Sequence, residues 1–389
     1  MASQFWRSDG VQLTRRGLLK TAAVLVGASC APQVPSPQDS QPPPGDASSP
    51  ADWRGQWAEL VAAAKREGKV GLFTTSSVGH RKWVEAFEAA FPGLSVQHLQ
   101  LGSSDLLVPR ITEERKASIY EFDVLVTSAV VAIPRLIPNG VLDPLRPLLF
   151  RPDVLDDKVW RNGFEGNWLD NEKRWGFAMD ERLGVWGINT DQVQPAEGLS
   201  LQHLLDPKWK GKIIMQDPRA GATYAQMTAV RLSQGEEVLR RLIVDQQPFF
   251  TRDPRQVVEG LVRGRYAFGN NVNKATLREF QEAGVGQNVK NVPLAGAMHV
   301  ANSGAVWAVN RAPHPNAAKL LINWLLTKEG QEQFSKNLEN NSVRADVEPV
   351  DPVTRPQAGL KYFYSGPEAA QPELDKTEKL ISDWLGIKN

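Results

Sequence analysis

The sequence predicts an α/β fold with a largely parallel sheet, on three observations. Short apolar runs alternate with helix-spaced apolar patterns from residue 52 to residue 128. Small polar residues follow nearly every apolar run, as expected where a strand hands over to a helix. A length of 389 residues suits two domains, or one domain of two lobes, with cores of ordinary size.

Asp52 can cap a helix whose apolar residues Trp53, Trp57, Leu60, Val61 and Ala64 recur at helical spacing, and Gly68 ends it. Lys69 to Thr74 (KVGLFT) reads as a buried strand. A helix through Trp83, Val84, Phe87 and Phe91 follows and stops at Pro92-Gly93. Leu94 to Leu99 alternates as a second strand, a third helix spans about Asp105 to Ser118, and Phe122 to Val126 (FDVLV) is a third strand. Arg146 to Arg182 carries Trp160, Trp168 and Trp175 among polar residues, which predicts a loop-rich stretch with one or two short strands. Further strands are expected at Gly184 to Asn189, Lys212 to Gln216, Tyr266 to Gly269 and Ala305 to Val309. Helices are expected at 201–205, 221–233, 236–244, 254–263, from beyond Asn271 to about Ala283, and at 316–327, 329–338 and 373–385.

The chain begins with a different kind of segment. Leu18 to Ala28 is apolar but too short to span a bilayer, which takes ~20 apolar residues. Arg15 and Arg16 precede it, Lys20 stands at its start, and Gly27, Ala28 and Ser29 end it, which is the order of an export signal. Thr14 to Lys20 (TRRGLLK) resembles a twin-arginine signal. Gly27-Ala28-Ser29-Cys30 resembles a lipoprotein cleavage box, although Gly27 stands where leucine is usual; the resemblance implies that Cys30 is lipidated. Ala31 to Pro50 is rich in Pro, Ser, Gln and Asp and supplies an extended tether. Residues 1–30 are thus read as signal, 31–51 as tether, and the globular body as starting near Asp52.

Composition excludes several functions. With 45 basic and 44 acidic residues there is no broad electrostatic footprint for nucleic acid. A single cysteine forbids an intrachain disulfide and any multi-cysteine zinc site, and five scattered histidines show no paired-ligand spacing. The GxxxxGK[ST], GxGxxG and GxSxG patterns are missing. The reading is therefore binding rather than catalysis, with no cofactor and no resident metal.

In open α/β sheets ligands bind beyond the carboxyl ends of the strands. The residues there are Thr75-Ser76-Ser77, Gly102-Ser103-Ser104, Thr127-Ser128, Arg219-Ala220-Gly221-Ala222-Thr223 and Asn270-Asn271. Hydroxyls, amides and open backbone N–H groups at helix starts suit an oxyanion. Each could equally be a helix cap alone; a ligand site requires that they converge. Arg182 and Arg219 are candidates to neutralise ligand charge, and a solvent-facing role for each is as good.

Several blocks then resemble one family. They are LLDPKWKGKIIMQDPRAGATY (Leu204 to Tyr224), ERLGVWGINTDQV (Glu181 to Val193), GAVWAVNRAPHPNAAKLLINWLLTKEGQEQF (Gly304 to Phe334) and NSVRADV (Asn341 to Val347). Together they resemble the substrate-binding lipoproteins of ABC importers, in the ferric-iron-binding-like branch of class II periplasmic binding proteins. The resemblance implies a two-lobed fold with a hinge of crossing strands, one lobe at 52–183 plus 300–340 and the other at 184–299 plus 341–389. It implies a monomer, anchored to the membrane by lipid, that hands solute to a permease driven by a separate ATPase. In the iron-binding members an asparagine pair precedes two tyrosines that hold the metal; here the matching stretch is Asn270-Asn271-Val272-Asn273. Valine cannot ligate and a neutral amide is a poor ligand for a hard cation. The expectation is a small anionic solute: a phosphorylated, phosphonate or carboxylate compound. The alternatives are ferric iron or a metal chelate, and a ligand-sensing module that docks on a receptor kinase. An enzyme on the same fold and a structural lipoprotein without ligand are further rivals.

Overall fold

The computed structural model describes residues 52–194, 198–218, 221–294, 299–302, 304–351, 354–355 and 361–387. Cys30, the tether, Arg219 and Ala220 lie outside them. In chain order the strands are β1 (Lys69–Thr75), β2 (Ser95–Leu101), β3 (Val124–Ser128), β4 (Leu142–Asp143) and β5 (Gly176–Ala178). Next come β6 (Asp180–Leu183), β7 (Trp186–Asn189), β8 (Ile213–Gln216), β9 (Phe249–Thr251) and β10 (Phe268–Asn270). The last are β11 (Val289–Val292), β12 (His299–Asn302), β13 (Gly304–Val309), β14 (Asn341–Ser342) and β15 (Tyr362–Tyr364).

They form three sheets. The first runs β2-β1-β3-β13-β4, with β5 also on β13. Its strands β1, β2 and β3 are parallel, because the helices Val78–Ala90 and Leu107–Lys116 carry the chain back between them. β13 then joins β3 antiparallel, so the sheet is mixed rather than largely parallel. The second sheet runs β11-β7-β10-β8-β9. The third, β14-β6-β12-β15, is built from segments remote in sequence.

The two largest apolar cores among the described residues lie one in each lobe. One gathers Phe73, Trp83, Phe87, Trp307 and Trp324 around the first sheet. The other gathers Ile188, Ile213, Met215, Leu242 and Phe268 around the second. The tryptophan-rich middle belongs to the first core: Trp160 and Trp168 lie 4.8 and 5.2 Å from Phe177, ring to ring. The chain passes from first to third to second sheet through β5, β6 and β7. That passage explains why the expected strand at Gly184 to Asn189 starts only at Trp186. Gly184 and Val185 make the crossing, and Asp180–Leu183 is a strand of its own in another sheet.

Other elements follow the expected pattern with local shifts. Gly68 ends the first helix in the left-handed region (φ 74°), where a residue without Cβ is unstrained. The helix expected from Asp105 to Ser118 divides into a 3₁₀ turn, Ser104–Leu106, and an α-helix, Leu107–Lys116. β3 begins at Val124 because its pairing with β1 starts at Leu72↔Val124. Among the described residues no helix is long and apolar enough to cross a membrane.

Candidate functional site

A cleft of about 180 Å³ lies between the ends of the first and second sheets. That is below the ~300–1,000 Å³ of drug-sized sites, so it suits a small solute. Three strand ends of the first sheet supply one wall: Thr75 at the end of β1 with Ser76 and Ser77 beyond it, Ser103 and Ser104 after β2, and Thr127 and Ser128 at the end of β3. They converge because the parallel strands all point their carboxyl ends the same way.

Local hydrogen bonds hold this wall. Ser77 caps the helix Val78–Ala90, accepting from Gly79 N–H at 3.2 Å. Gln100 Nε2 donates to the Ser77 carbonyl at 2.9 Å, and Ser76 N–H donates to Leu101 O at 2.7 Å. Thr127 Oγ1 donates to Ser104 Oγ at 2.6 Å. Ser103 differs. It precedes the 3₁₀ turn and is 9% exposed, but its hydroxyl caps nothing and makes no hydrogen bond among the described residues. It lines the cleft.

The second sheet supplies Gln216, Asn271, Val272, Asn273 and Lys274 to the facing wall. Asn271 takes a left-handed backbone (φ 47°), a conformation that asparagine tolerates better than most residues. Behind it lies a buried relay. Asn270 Oδ1 accepts from Gln216 N–H at 2.8 Å, and its Nδ2 donates to Thr223 Oγ1 at 3.2 Å. Asn271 Nδ2 approaches the same hydroxyl at 3.4 Å. Asn270 and Thr223 are both fully buried and are not among the lining residues; they hold Asn271 in place. Gly221 and Ala222 open the helix Gly221–Gln234, and Arg182 pairs with Asn302 through the backbone of β6.

Lys274 and Asp180 are lining residues that sequence reasoning missed. Lys274 is the first residue of the helix Lys274–Glu282 and is paired with Asp351. A cation at a helix start is unfavourable against the dipole, and that oddity was a signal legible in the sequence. One turn on, Arg278 pairs at 3.0 Å with Glu339, at the end of the helix Lys328–Leu338 of the first lobe. Burial pushes the Glu339 carboxyl up, against the pull of Arg278 and Lys274.

The two positions that match iron-ligating tyrosines are both occupied structurally. Val272 is 5% exposed and packs with Ile214, Val257, Val258 and Leu261. Asn273 caps the next helix, accepting from Thr276 N–H at 2.9 Å. Among the described lining residues there is no tyrosine, one imidazole (His80) and one carboxylate (Asp180). No group of three His, Cys, Asp or Glu residues that could hold a metal occurs among the described residues.

Residues 82–360 match the family described as bacterial extracellular solute-binding protein. The chain belongs to this family. A solute-binding protein captures its ligand and does not transform it, and this family works outside the cytoplasm. The chain is 26% identical over 291 residues to iron uptake protein A2 of Synechocystis, covering 70% of this chain and 79% of that one. Two solved structures show the same two-lobed fold. Iron-bound HitA from Pseudomonas aeruginosa superposes with a TM-score of 0.61 at 20% identity, over 81% of this chain and 99% of that one. AfuA from Actinobacillus pleuropneumoniae, with fructose-6-phosphate bound, superposes with a TM-score of 0.64 at 18% identity, over 82% of this chain and 98% of that one.

Proposed function

We propose that this solute-binding protein captures a small anionic solute, phosphorylated, phosphonate or carboxylate, and delivers it to the permease of an ABC importer. The observation that carries the reading is the lining of the cleft. Hydroxyls from three strand ends of one lobe face Asn271 of the other, while the tyrosine positions of the iron-binding branch hold a core valine and a capping asparagine. Ser76, Ser77, Ser103, Thr127 and Ser128 contact the oxyanion from one side, and Asn271 and the start of the helix Gly221–Gln234 from the other. Contacts made with both lobes at once favour the closed state, so the solute shifts the population towards closure. The lobes of this reading are 52–183 with 300–340, and 184–299 with 341–389. The chain acts as a monomer, exported through its N-terminal signal and held to the membrane by lipid on Cys30.

A second reading is ferric iron or a metal chelate, favoured by the name of the Synechocystis relative. Native mass spectrometry of the mature protein with co-purifying ligand separates the two, together with a thermal-shift screen against phosphosugars, phosphonates, carboxylates and ferric salts. Stabilisation by an oxyanion without metal supports the first. Stoichiometric iron colour would overturn it.

A further inference from the structure

Four aspartates are buried among the described residues: Asp123, Asp170, Asp180 and Asp217. A buried carboxylate needs a counter-charge or a full set of donors. Asp123 has a set of donors: Gly71 N–H at 2.6 Å and His314 N–H at 2.7 Å, with His314 Nδ1 at 2.9 Å. Asp217 faces Arg252 at 3.1 Å. Asp170 has no cation, but three backbone N–H groups (Arg174, Trp175 and Gly176) donate to it at 3.0–3.2 Å.

Asp180 fits neither pattern. It is 1% exposed and lines the cleft. Its Oδ1 accepts from Gly304 N–H and its Oδ2 from Asn340 Nδ2 at 2.8 Å. Both donors are neutral, and both residues also line the cleft. Two carboxylate oxygens offer about four acceptor sites, so two such bonds leave capacity unused. Lys274, the one cationic side chain among the described lining residues, is already paired with Asp351.

We propose that the counter-charge of Asp180 comes from the solute, which carries an ammonium group as well as its oxyanion. The cleft is then dipolar. Hydroxyls at the ends of β1, β2 and β3 hold the anionic end, and Asp180 at the hinge holds the cationic end. A metal ion does not fit this role: among the described lining residues Asp180 is the one anionic donor, and a single carboxylate among neutral hydroxyls and amides is a poor site for a hard, highly charged cation. This inference deepens the proposed function and rests on its oxyanion reading.

The test is calorimetry on the mature protein with matched pairs that differ by one ammonium group. The pairs are ethyl phosphate with O-phosphoethanolamine, and propionate with β-alanine; ethylamine is the amine-only control. The wild type is expected to bind the ammonium-bearing member of at least one pair about tenfold tighter or more. Asp180→Asn, which keeps the shape and an acceptor for Gly304, is expected to shrink that preference to about threefold or less while still binding the amine-free member. Equal binding of both members by the wild type overturns the ammonium assignment and leaves the oxyanion reading standing. Ethylamine binding as tightly as the zwitterion overturns the oxyanion reading. Binding of none overturns both.

Discussion

Gly102 provides the sharpest test of closure. It follows β2 in the first lobe, and a Cβ built on it would lie 2.5 Å from the carbonyl oxygen of Arg252, which follows β9 in the second lobe. Ordinary contact starts at 3.4 Å, so alanine there is about 0.9 Å too close to a backbone atom that cannot swing away. The backbone of Gly102 is not left-handed, so alanine itself is tolerated and the clash arises only where the lobes meet. Overpacking of this kind costs ~1–3 kcal/mol. That cost falls on arrangements in which the lobes touch at this point, and the apparent affinity for any solute whose binding needs that contact drops by roughly 5- to 150-fold. Gly79 is the control. Its added Cβ would lie 2.2 Å from Asn337 O, between two helices of the same lobe, so Gly79→Ala lowers the melting temperature of the ligand-free protein. Gly102→Ala is expected to leave that melting temperature within about 2 °C while weakening calorimetric binding of the solute found in the screen. Wild-type affinity in Gly102→Ala, or a ligand-free melting drop like that of Gly79→Ala, would refute the reasoning.

Asn270→Ala leaves Gln216 N–H without its acceptor and removes one of the two amide donors at the Thr223 hydroxyl, at ~1–3 kcal/mol, and lowers the melting temperature by roughly 1–4 °C; differential scanning calorimetry checks this. His98 is held neutral, its pKa lowered to about 4 by burial and by nearby Arg81, with Thr74 Oγ1 at 2.8 Å. The unfolded chain takes up a proton below about pH 6.5 and the folded chain does not until about pH 4, so this stability is complete above 6.5 and is lost between those values. After screening at this part-exposed site the loss is ~1–2 kcal/mol, and His98→Gln should flatten that portion of a melting-temperature-against-pH curve. Val272→Tyr, which would restore one tyrosine of the iron-binding pattern, instead overpacks the core above Gly187 by ~1–3 kcal/mol. Gain of iron binding without loss of stability in that variant would count against the packing described here.

The alternation of elements and the chemistry at the strand ends were legible in the amino-acid order. Both are local. Helical spacing in Trp53–Ala64, the run KVGLFT and the glycine after the first helix each carry their signal within a few residues. Hydroxyls after β1, β2 and β3 were legible for the same reason, since the end of a parallel strand fixes where the next side chains go. Tertiary structure alone decided the rest. β9, β12, β14 and β15 are two to four residues long, too short for a periodic signal, and they exist because distant partners pair with them. Likewise Asn270 and Thr223 became supports for Asn271, because burial depends on what packs in front. Asp180 is one acid among many in the chain. It stands out only when the fold buries it at the cleft, where desolvation turns an ordinary carboxylate into one that needs a counter-charge.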